Sequence, residues 1–309
     1  MSAVEWGVYP VAPPYQWSVA LGRSESSCIL GAMPGPLATT VPFGFDFDPA
    51  RFMRAYGALG ARQVQFYRNE AKPPTVEEAL AAARSAEQRY DSIHGVFGEH
   101  LDPTGPAPEH VQHCLRIYEQ EGRLASDLGG PMVVVHPSGW TPGRKELTPQ
   151  QASEAAVPRR PRLDSFMRRL AEIGENLGVT YLIENQPYNC YLGHDPVGLA
   201  AQIAAVGSNR IRMCFDTGHA HITADVYRSL QSCAPVIDYL HIHDNDGKLD
   251  NHLMPGAPGG SIDWPRFART LRETGLKASR MLEVFEPEAA VEKRGVDGFG
   301  GTLSQWLDC

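Results

Sequence analysis

The 309-residue sequence lacks the features that mark several broad classes of protein. Its apolar runs are no longer than a β-strand, whereas a membrane-spanning helix needs about 20 apolar residues, so no membrane span is expected. The opening residues, MSAVEWGVYPVAPPYQW, show no basic segment followed by an apolar one, and no signal peptide is expected. Six scattered cysteines include no C-x-x-C pair, which is typical of reduced thiols in a cytoplasmic protein.

Positive charge is also scarce in this chain. Lys and Arg total 28 against 36 Asp and Glu, which gives a formal net charge of −8. Such an acidic balance disfavours a general binder of nucleic acid or of an acidic membrane. Only residues 144–169 are notably basic, and part of that run falls on a predicted helix, where a solvated face is the ordinary explanation. We therefore expect neither nucleic acid nor membrane as a partner.

Short β-rich runs alternate with helical patterns along almost the whole chain. The predicted strands are residues 4–10, 62–68, 91–97, 131–137, 180–187, 210–216, 238–244 and 279–285. The predicted helices lie near residues 48–60, 75–90, 108–128, 162–177, 195–206, 223–234, 263–275 and 288–306. Alternation of this kind predicts parallel strands covered by helices, and eight units close a (β/α)8 TIM barrel. A doubly wound open sheet is the alternative, but no G-x-G-x-x-G follows the first predicted strand.

We predict one α/β TIM-barrel domain over residues 1–309, with long loops at about 10–46 and 138–161. Both loops would lie at the C-terminal face of the barrel, where long loops usually shape a binding site. The N-caps Asp48, Thr75, Asp195 and Asp263 and the helix-ending glycines Gly129, Gly178, Gly207 and Gly275 mark several helix bounds. Barrels of this kind often pair, so a homo-oligomer is one expected state.

Six of the predicted strands end with a side chain that can bind a metal: His94, His136, Glu184, Asp216, His241 and Glu283. Each stands next to an apolar residue, so in a barrel the polar member faces the interior at the C-terminal mouth, where barrel enzymes do their chemistry. Any one of them has an ordinary explanation as a paired structural residue. Together, however, converging carboxylates repel one another unless a cation binds them. Mixed Glu, Asp and His ligation suits one Mn²⁺, Co²⁺, Mg²⁺ or Zn²⁺ ion.

The stretch YLHIHDNDGKLDNHLMPGAPGG, residues 239–260, places further His and Asp residues after the seventh strand. His243 shares the strand parity of His241 and is a further candidate ligand. Asp250 and His252 begin a loop that would fold back over the mouth. Turn and rim positions are predicted for Asp244, Asp246 and Lys248. The glycines of GAPGG either cradle a phosphate or serve a tight turn.

Several motifs carry a family resemblance: VVVHP, YLIENQP, CFDTGHAH, LHIHDND, DNHLMPGAPGGSIDW and MLEVFEP, in that order. They resemble the xylose isomerase-like TIM-barrel superfamily, which includes sugar phosphate isomerases and epimerases and the endonuclease IV enzymes of AP endonuclease family 2. In its isomerases and epimerases one divalent metal ion is held by residues of the last four strands. The matching metal positions are Glu184, Asp216, His241 and Glu283.

The resemblance also implies the catalytic roles. Glu184 and Glu283 would move the proton on opposite sides of the substrate carbon. His219, in DTGHAH, matches a position that touches the substrate or a further metal. We assign substrate contacts to His94, His136, His219, His252 and Trp17. Tyr15, Trp17 and Phe43 suit stacking against a sugar or an aromatic aglycone.

We therefore predict a cytoplasmic metal-dependent sugar or keto-polyol isomerase/epimerase, which abstracts a proton next to a carbonyl through a metal-stabilised enediolate. A dehydratase or lyase of the same superfamily is a related outcome. The rival is an endonuclease IV-like trinuclear zinc phosphodiesterase. Its nine ligand positions match in residue type at His94, His136, Glu184, Asp216, His219, His241, Asp250, His252 and Glu283.

Charge distribution favours the small carbohydrate or polyol substrate over that rival, because grasping duplex DNA needs basic loops. A non-catalytic barrel is a third alternative, since a fold does not fix a function. The intact set of converging ionisable groups argues against it.

Overall fold

Eight parallel β-strands form a closed barrel in the computed structural model, which describes residues 35–295. In chain order, β1 to β8 are Leu37–Phe43, Gln63–Arg68, Arg89–His94, Met132–Val135, Thr180–Glu184, Ile211–Asp216, Ile237–Ile242 and Ser279–Leu282. Each strand pairs with its sequence neighbour, and β1 pairs with β8 to complete the ring. The predicted α/β (β/α)8 TIM barrel is confirmed.

Helices connect the strands and cover the outside of the barrel. In chain order, α1 to α10 are Pro49–Ala58, Val76–Ser85, Pro108–Leu128, Pro149–Ala156, Arg160–Leu177, Pro196–Val206, Thr217–Thr223, Val226–Cys233, Trp264–Thr274 and Glu288–Gly295. The predicted N-caps are confirmed, since each side chain accepts an N–H from its helix: Asp48, Thr75, Asp195 and Asp263. The predicted terminal glycines adopt the left-handed conformation: Gly129, Gly178, Gly207 and Gly275.

The first barrel strand lies elsewhere than predicted. β1 falls inside the range 10–46 that was predicted to be a loop, so that prediction is wrong for residues 37–43. The predicted strand at 4–10 and most of the predicted loop lie outside the described residues. Every residue of β1 is buried, including Thr39, Thr40 and Pro42. A strand buried on both faces shows no polar–apolar alternation, and its threonines and prolines look like loop sequence.

The predicted loop at 138–161 also contains secondary structure. Pro142–Arg144 form a short 3₁₀ turn, α4 follows, and α5 begins at Arg160. The loop prediction is wrong for that part of the range. Thr148 and Gln151 form a capping box at the start of α4, in which each side chain bonds to the other residue's backbone N–H.

The barrel interior is built in layers. An apolar cluster fills the middle layer: Ala38, Val134, Leu182, Cys214, Tyr239 and Met281. The last five of these each precede a predicted mouth residue by two positions, so they point the same way along the strand. Their neighbours, such as Ile183 and Phe215, belong to the larger core between strands and helices. The predicted alternation is confirmed, and the polar mouth rests on an apolar floor.

A carboxyl group on β3, that of Asp91, is also buried. A register shift between β2 and β3 leaves Asp91 outside the regular pairing. Its Oδ1 accepts hydrogen bonds from Ser92 Oγ and Tyr239 OH, both at 2.9 Å. Burial raises the pKa of Asp91 to about 6 despite these donors.

Two further predictions concern the whole chain. No helix among residues 35–295 has both the length and the apolar character needed to cross a bilayer. The cysteines in the same range are free and buried: Cys114, Cys190, Cys214 and Cys233.

Candidate active site

Four predicted metal ligands converge at the C-terminal mouth, and we call them the strand group: Glu184, Asp216, His241 and Glu283. One donor atom from each lies within 4.8 Å of the others. His241 Nδ1 lies 2.6 Å from Glu184 Oε1, 2.9 Å from Glu283 Oε2 and 3.8 Å from Asp216 Oδ2. All four residues are buried, since each strand end carries its polar side chain into the barrel above the apolar floor.

Three of the four donor atoms of the strand group have no hydrogen-bond partner among the described residues. Glu184 Oε1, His241 Nδ1 and Glu283 Oε2 are buried and make no hydrogen bond of acceptable geometry. Buried polar atoms are almost always hydrogen-bonded, and buried carboxylates in contact are costly unless a positive charge joins them. Two carboxylate oxygens and an imidazole nitrogen facing one point are the ligand set of a divalent ion. The residues therefore fit the metal that the sequence predicts.

Electrostatics keep both glutamates ionised. Burial alone would raise the pKa of Glu184, but His241 and His136 hold it well below its ordinary value. Burial likewise opposes ionisation of Glu283, and His241 beside it lowers its pKa nevertheless. Both carboxyl groups are therefore charged at neutral pH, as a metal ligand or a general base requires.

Amide side chains orient the strand group, and the sequence prediction missed them. Gln186 Nε2 donates to Glu184 Oε2 at 2.6 Å. Asn185 Nδ2 donates to Asp216 O at 2.9 Å, and Asn185 Oδ1 accepts from Asp216 N at 2.8 Å. Gln65 Nε2 lies 3.2 Å from His241 Nε2, at the far side of that ring. A signal was present for two of them, because both amides directly follow the strand-end carboxylate in the motif IENQP.

His94 and His136 meet the other oxygen of the Glu184 carboxylate, and we call this the histidine-pair group. His136 Nε2 lies 3.0 Å and His94 Nε2 3.9 Å from Glu184 Oε2. Burial lowers the pKa of His94 to about 4, so its ring is neutral. His94 Nδ1 contacts Gly95 O at 2.9 Å, and since a carbonyl can only accept, Nε2 keeps the lone pair. Both predicted substrate-binding histidines thus lie in the site.

A third set, the loop group, is formed by His219, Asp250 and His252. Asp250 Oδ2 lies 3.2 Å from His219 Nε2 and 3.3 Å from His252 Nε2. The Nδ1 atoms of the two rings contact backbone carbonyls, at Asn185 O and Glu283 O. Burial would lower the pKa values of both histidines, but nearby carboxylates, Asp216 and Asp250 for His219 and Asp250 for His252, raise each to about 10. Donor atoms of this group and of His243 lie within 4.8 Å of one another.

Asp244 organises the loop that carries Asp250 and His252, and its predicted place on the rim is wrong. Its side chain is buried and accepts five N–H groups: Asn245 N, Gly256 N, Ser261 N, Ile262 N and Trp264 Nε1, at 2.7–3.2 Å. Its backbone also pairs with Leu253 in both directions. A carboxylate inside the loop therefore takes N–H groups that a phosphate cradle would use. Asp246 is exposed and accepts from Lys248 N and Leu249 N, as predicted for a turn.

An aromatic wall borders the donor groups: Tyr67, Phe97, Trp140 and Phe285. The Phe97 ring stacks on His136 at 4.5 Å between centroids and meets Trp140 at 5.2 Å. Tyr67 and Phe285 lie 5.6 Å apart, and Phe285 lies 5.7 Å from His252. The predicted stacking residues Tyr15 and Trp17 lie outside the described residues. Phe43 is buried in the core, so its predicted place at the mouth is wrong.

The basic run at 144–169 is engaged within the protein. Arg159 pairs with Asp102, and Arg162 donates to Thr104 O. Further partners are Asp195 for Arg160, Ala205 O for Arg168 and Gln112 for Arg169. Arg144 lies over the ring of Trp140 at 3.6 Å. Each of the six arginines of the run therefore has a partner within the protein.

Comparison with known proteins agrees with this fold. The sequence pattern of the family described as xylose isomerase-like TIM barrel matches residues 53–297. An uncharacterised protein of Methanocaldococcus jannaschii, MJ1311, is 32% identical over 179 residues, which make up 56% of this chain and 57% of that protein. The chain spans about half the length of the curated relatives it matches.

Two solved structures share the fold. A D-tagatose 3-epimerase-like protein superposes with a TM-score of 0.67 at 16% identity, covering 87% of this chain and 98% of that one. A D-psicose 3-epimerase with D-tagatose, from Clostridium cellulolyticum H10, gives 0.66 at 15% identity, covering 89% and 100%. At such identities the likeness shows the fold alone.

The fold and the polar mouth define a TIM barrel with its donor groups at the C-terminal ends of the strands. The family match extends over most of the chain. The chain belongs to the xylose isomerase-like TIM barrel family.

Proposed function

We propose that the protein is a divalent-metal-dependent isomerase or epimerase of a small keto-sugar or keto-polyol. The supporting observation is that Glu184 on β5 and Glu283 just after β8 approach His241 Nδ1 from two sides, at 2.6 and 2.9 Å. A cation held by the strand group would act as a Lewis acid on the carbonyl of the substrate.

The protein's own carboxylates would move the proton. Gln186 and His136 hold Glu184 Oε2, so Oε1 is the oxygen turned toward the strand group. Glu283 offers Oε2, which lies 2.9 Å from His241 Nδ1. One carboxylate takes the proton from the carbon next to the carbonyl, and the other delivers to the opposite face a proton that it has first taken from solvent. Their low pKa values keep both in the basic form before substrate binds.

Two features of the mouth support a small substrate. The aromatic wall beside the donors is the kind of lining that small-molecule pockets use, with a few polar groups fixing orientation. The arginines that could have neutralised a DNA backbone have partners inside the protein. The names of the similar structures, a D-tagatose 3-epimerase-like protein and a D-psicose 3-epimerase, point to ketoses as the first compounds to test.

Solvent deuterium exchange tests this proposal. The metal-free protein would be incubated with ketoses and keto-inositols in D₂O, with Mn²⁺, Co²⁺, Mg²⁺ or Zn²⁺ added in turn. We expect exchange at the carbon beside the carbonyl only with metal present, and its loss in Glu283→Gln. The matched control is Glu292→Gln, whose carboxylate contacts Arg51 away from the mouth. An absence of exchange on every compound with all four metals would contradict the proposal.

A second candidate is a trinuclear metal phosphodiesterase, and a specific observation favours it. All nine ligand positions lie in the three donor groups, and Glu184 is shared by two of them. His94, His219 and His252 each have Nδ1 at a backbone carbonyl, which leaves Nε2 for the donor groups. Histidines that bind metals are typically oriented in this way.

Metal content separates the two candidates. About one divalent ion per chain, measured by elemental analysis of gently purified protein, supports the isomerase, and about three zinc ions support the phosphodiesterase. The companion assay is cleavage of a duplex with an abasic site at increasing salt. A DNA enzyme loses binding steeply as salt rises, because each neutralised phosphate releases counterions. Salt-sensitive cleavage without exchange on any sugar would establish the second candidate in place of the first.

A further inference from the structure

We propose that His243 is a positioning residue that fixes the Asp216 carboxylate for metal binding. His243 Nε2 lies 3.0 Å from Asp216 Oδ1 and 3.1 Å from Asp216 Oδ2, so a single N–H reaches both oxygens. Both side chains are fully buried. A charged acceptor strengthens this hydrogen bond, and burial leaves no water to replace it.

The surrounding residues hold the His243 ring in this position. The Thr217 hydroxyl donates to His243 O at 2.8 Å and accepts from His243 N at 3.1 Å. The ring stacks on His252 with 4.0 Å between centroids and 12° between planes. A Cβ added to Gly218 would come within 2.0 Å of His243 Cε1. Glycine at that position is what lets the ring approach the strand end so closely.

The contacts of Asp216 divide between its two oxygens. Oδ1 also accepts the His219 N–H at 2.7 Å, as the N-cap of α7. Oδ2 is the oxygen that faces His241 Nδ1, at 3.8 Å. The His243 N–H completes the restraint, because it prevents the carboxylate from turning about its Cβ–Cγ bond. His243 thus acts on the metal through Asp216.

This inference rests on the proposed metal site, and its test measures metal binding without turnover. Mn²⁺ would be titrated calorimetrically into the full-length, chelator-treated protein and three variants. His243→Leu removes the donor. His243→Gln keeps an N–H at a similar reach but supplies a poor ligand. Gly218→Ala displaces the His243 ring while keeping histidine at position 243. The control is His221→Leu, which removes a histidine whose Nε2 contacts Ser261 Oγ and which belongs to none of the donor groups.

We expect His243→Leu and Gly218→Ala to bind Mn²⁺ about 10–100-fold more weakly, the usual cost of losing an outer partner of a metal ligand. His243→Gln should bind within a few-fold of wild type, and His221→Leu should be unchanged. Equal losses in the Leu and Gln variants would make His243 a direct ligand and overturn the inference. An Mn²⁺ affinity equal to that of the wild type in His243→Leu would show that the contact with Asp216 contributes only to packing. Failure of the unaltered protein to bind Mn²⁺ would instead overturn the proposed metal site itself.

Discussion

The strand group and the loop group differ in what holds them in place. Glu184, Asp216 and His241 are 0–1% exposed and extend from barrel strands over an apolar floor. In the loop group, the side chain of Asp250 is 26% exposed and depends on a loop that Asp244 organises. Barrel strands therefore carry the first set, and the loop reaches it through the His252 ring stacked on His243. The second set depends on one buried carboxylate, so the two sets can be lost separately.

The largest effect is expected at the centre of the strand group. His241→Ala removes the donor that both glutamates face and leaves their buried charges facing each other. Mn²⁺ affinity and deuterium exchange should fall together, by more than the roughly 100-fold that an outer partner costs. His113→Ala, an exposed substitution on α3, is the control. Retained Mn²⁺ affinity in His241→Ala would show that the strand group is not the metal site.

Glu283→Gln addresses chemistry within the same group. Because the amide cannot accept the proton, kcat should fall by about 10²–10⁴-fold, the typical range for a general acid or base. KM should change little if the group acts on the proton and not on substrate binding. Steady-state kinetics on the ketose identified by exchange would measure both. An unchanged kcat with a raised KM would assign Glu283 to substrate binding.

Asp244→Ala tests whether the loop group can be removed by itself. Several buried N–H groups would lose their acceptor, and each costs about 1–3 kcal/mol, so we expect roughly 3–5 kcal/mol lower stability. Urea unfolding would measure this, with the exposed Asp246→Ala as control. Below the denaturation midpoint, Mn²⁺ affinity at the strand group should persist while any ions bound at the loop group are lost. Simultaneous loss of both would mean that the barrel does not hold the strand group independently.

The smallest effect concerns the barrel beneath the donors. Burial raises the pKa of Asp91 from 3.8 to about 6, so the folded state binds more protons than the unfolded state between these values. Stability from this group therefore decreases as pH rises through that window, by at most about 3 kcal/mol. Asp91→Asn should abolish this difference, because the amide does not ionise. Urea unfolding from pH 4 to pH 7 would show it, and parallel pH profiles of variant and wild type would contradict it.

The strand-borne features could be predicted from sequence because they follow local rules. The parity of Glu184 against Ile183 places one inside and one outside the barrel, and the closed ring brings the strand ends together. The predictions that were wrong concern residues whose structure depends on tertiary contacts. Pro42 and its threonine neighbours form a strand only because both of its faces are covered. Asp244 looks like a turn residue until the loop folds back and supplies its donors.

The sequence also could not predict which carboxylate each histidine contacts. The sequence predicts a substrate contact for both His136 and His252. In the structure, however, His136 contacts Glu184 and His252 contacts Asp250. The ring orientations of His94, His219 and His252 are set by backbone carbonyls, which carry no sequence signature.

The pairing of β1 with β8 closes the barrel, and it can form only after the whole barrel sequence has been synthesised. Arg280 donates to Gly35 O across it at 2.8 Å, between residues 245 positions apart. Contacts so distant in sequence form slowly, because a long segment of chain must be ordered first. During synthesis β1 leaves the ribosome before any other described strand, whereas β8, its second pairing partner, is the last described strand to leave. Until β8 arrives, the growing sheet has two open edges that can pair with other chains, and a truncated product would be left in that state.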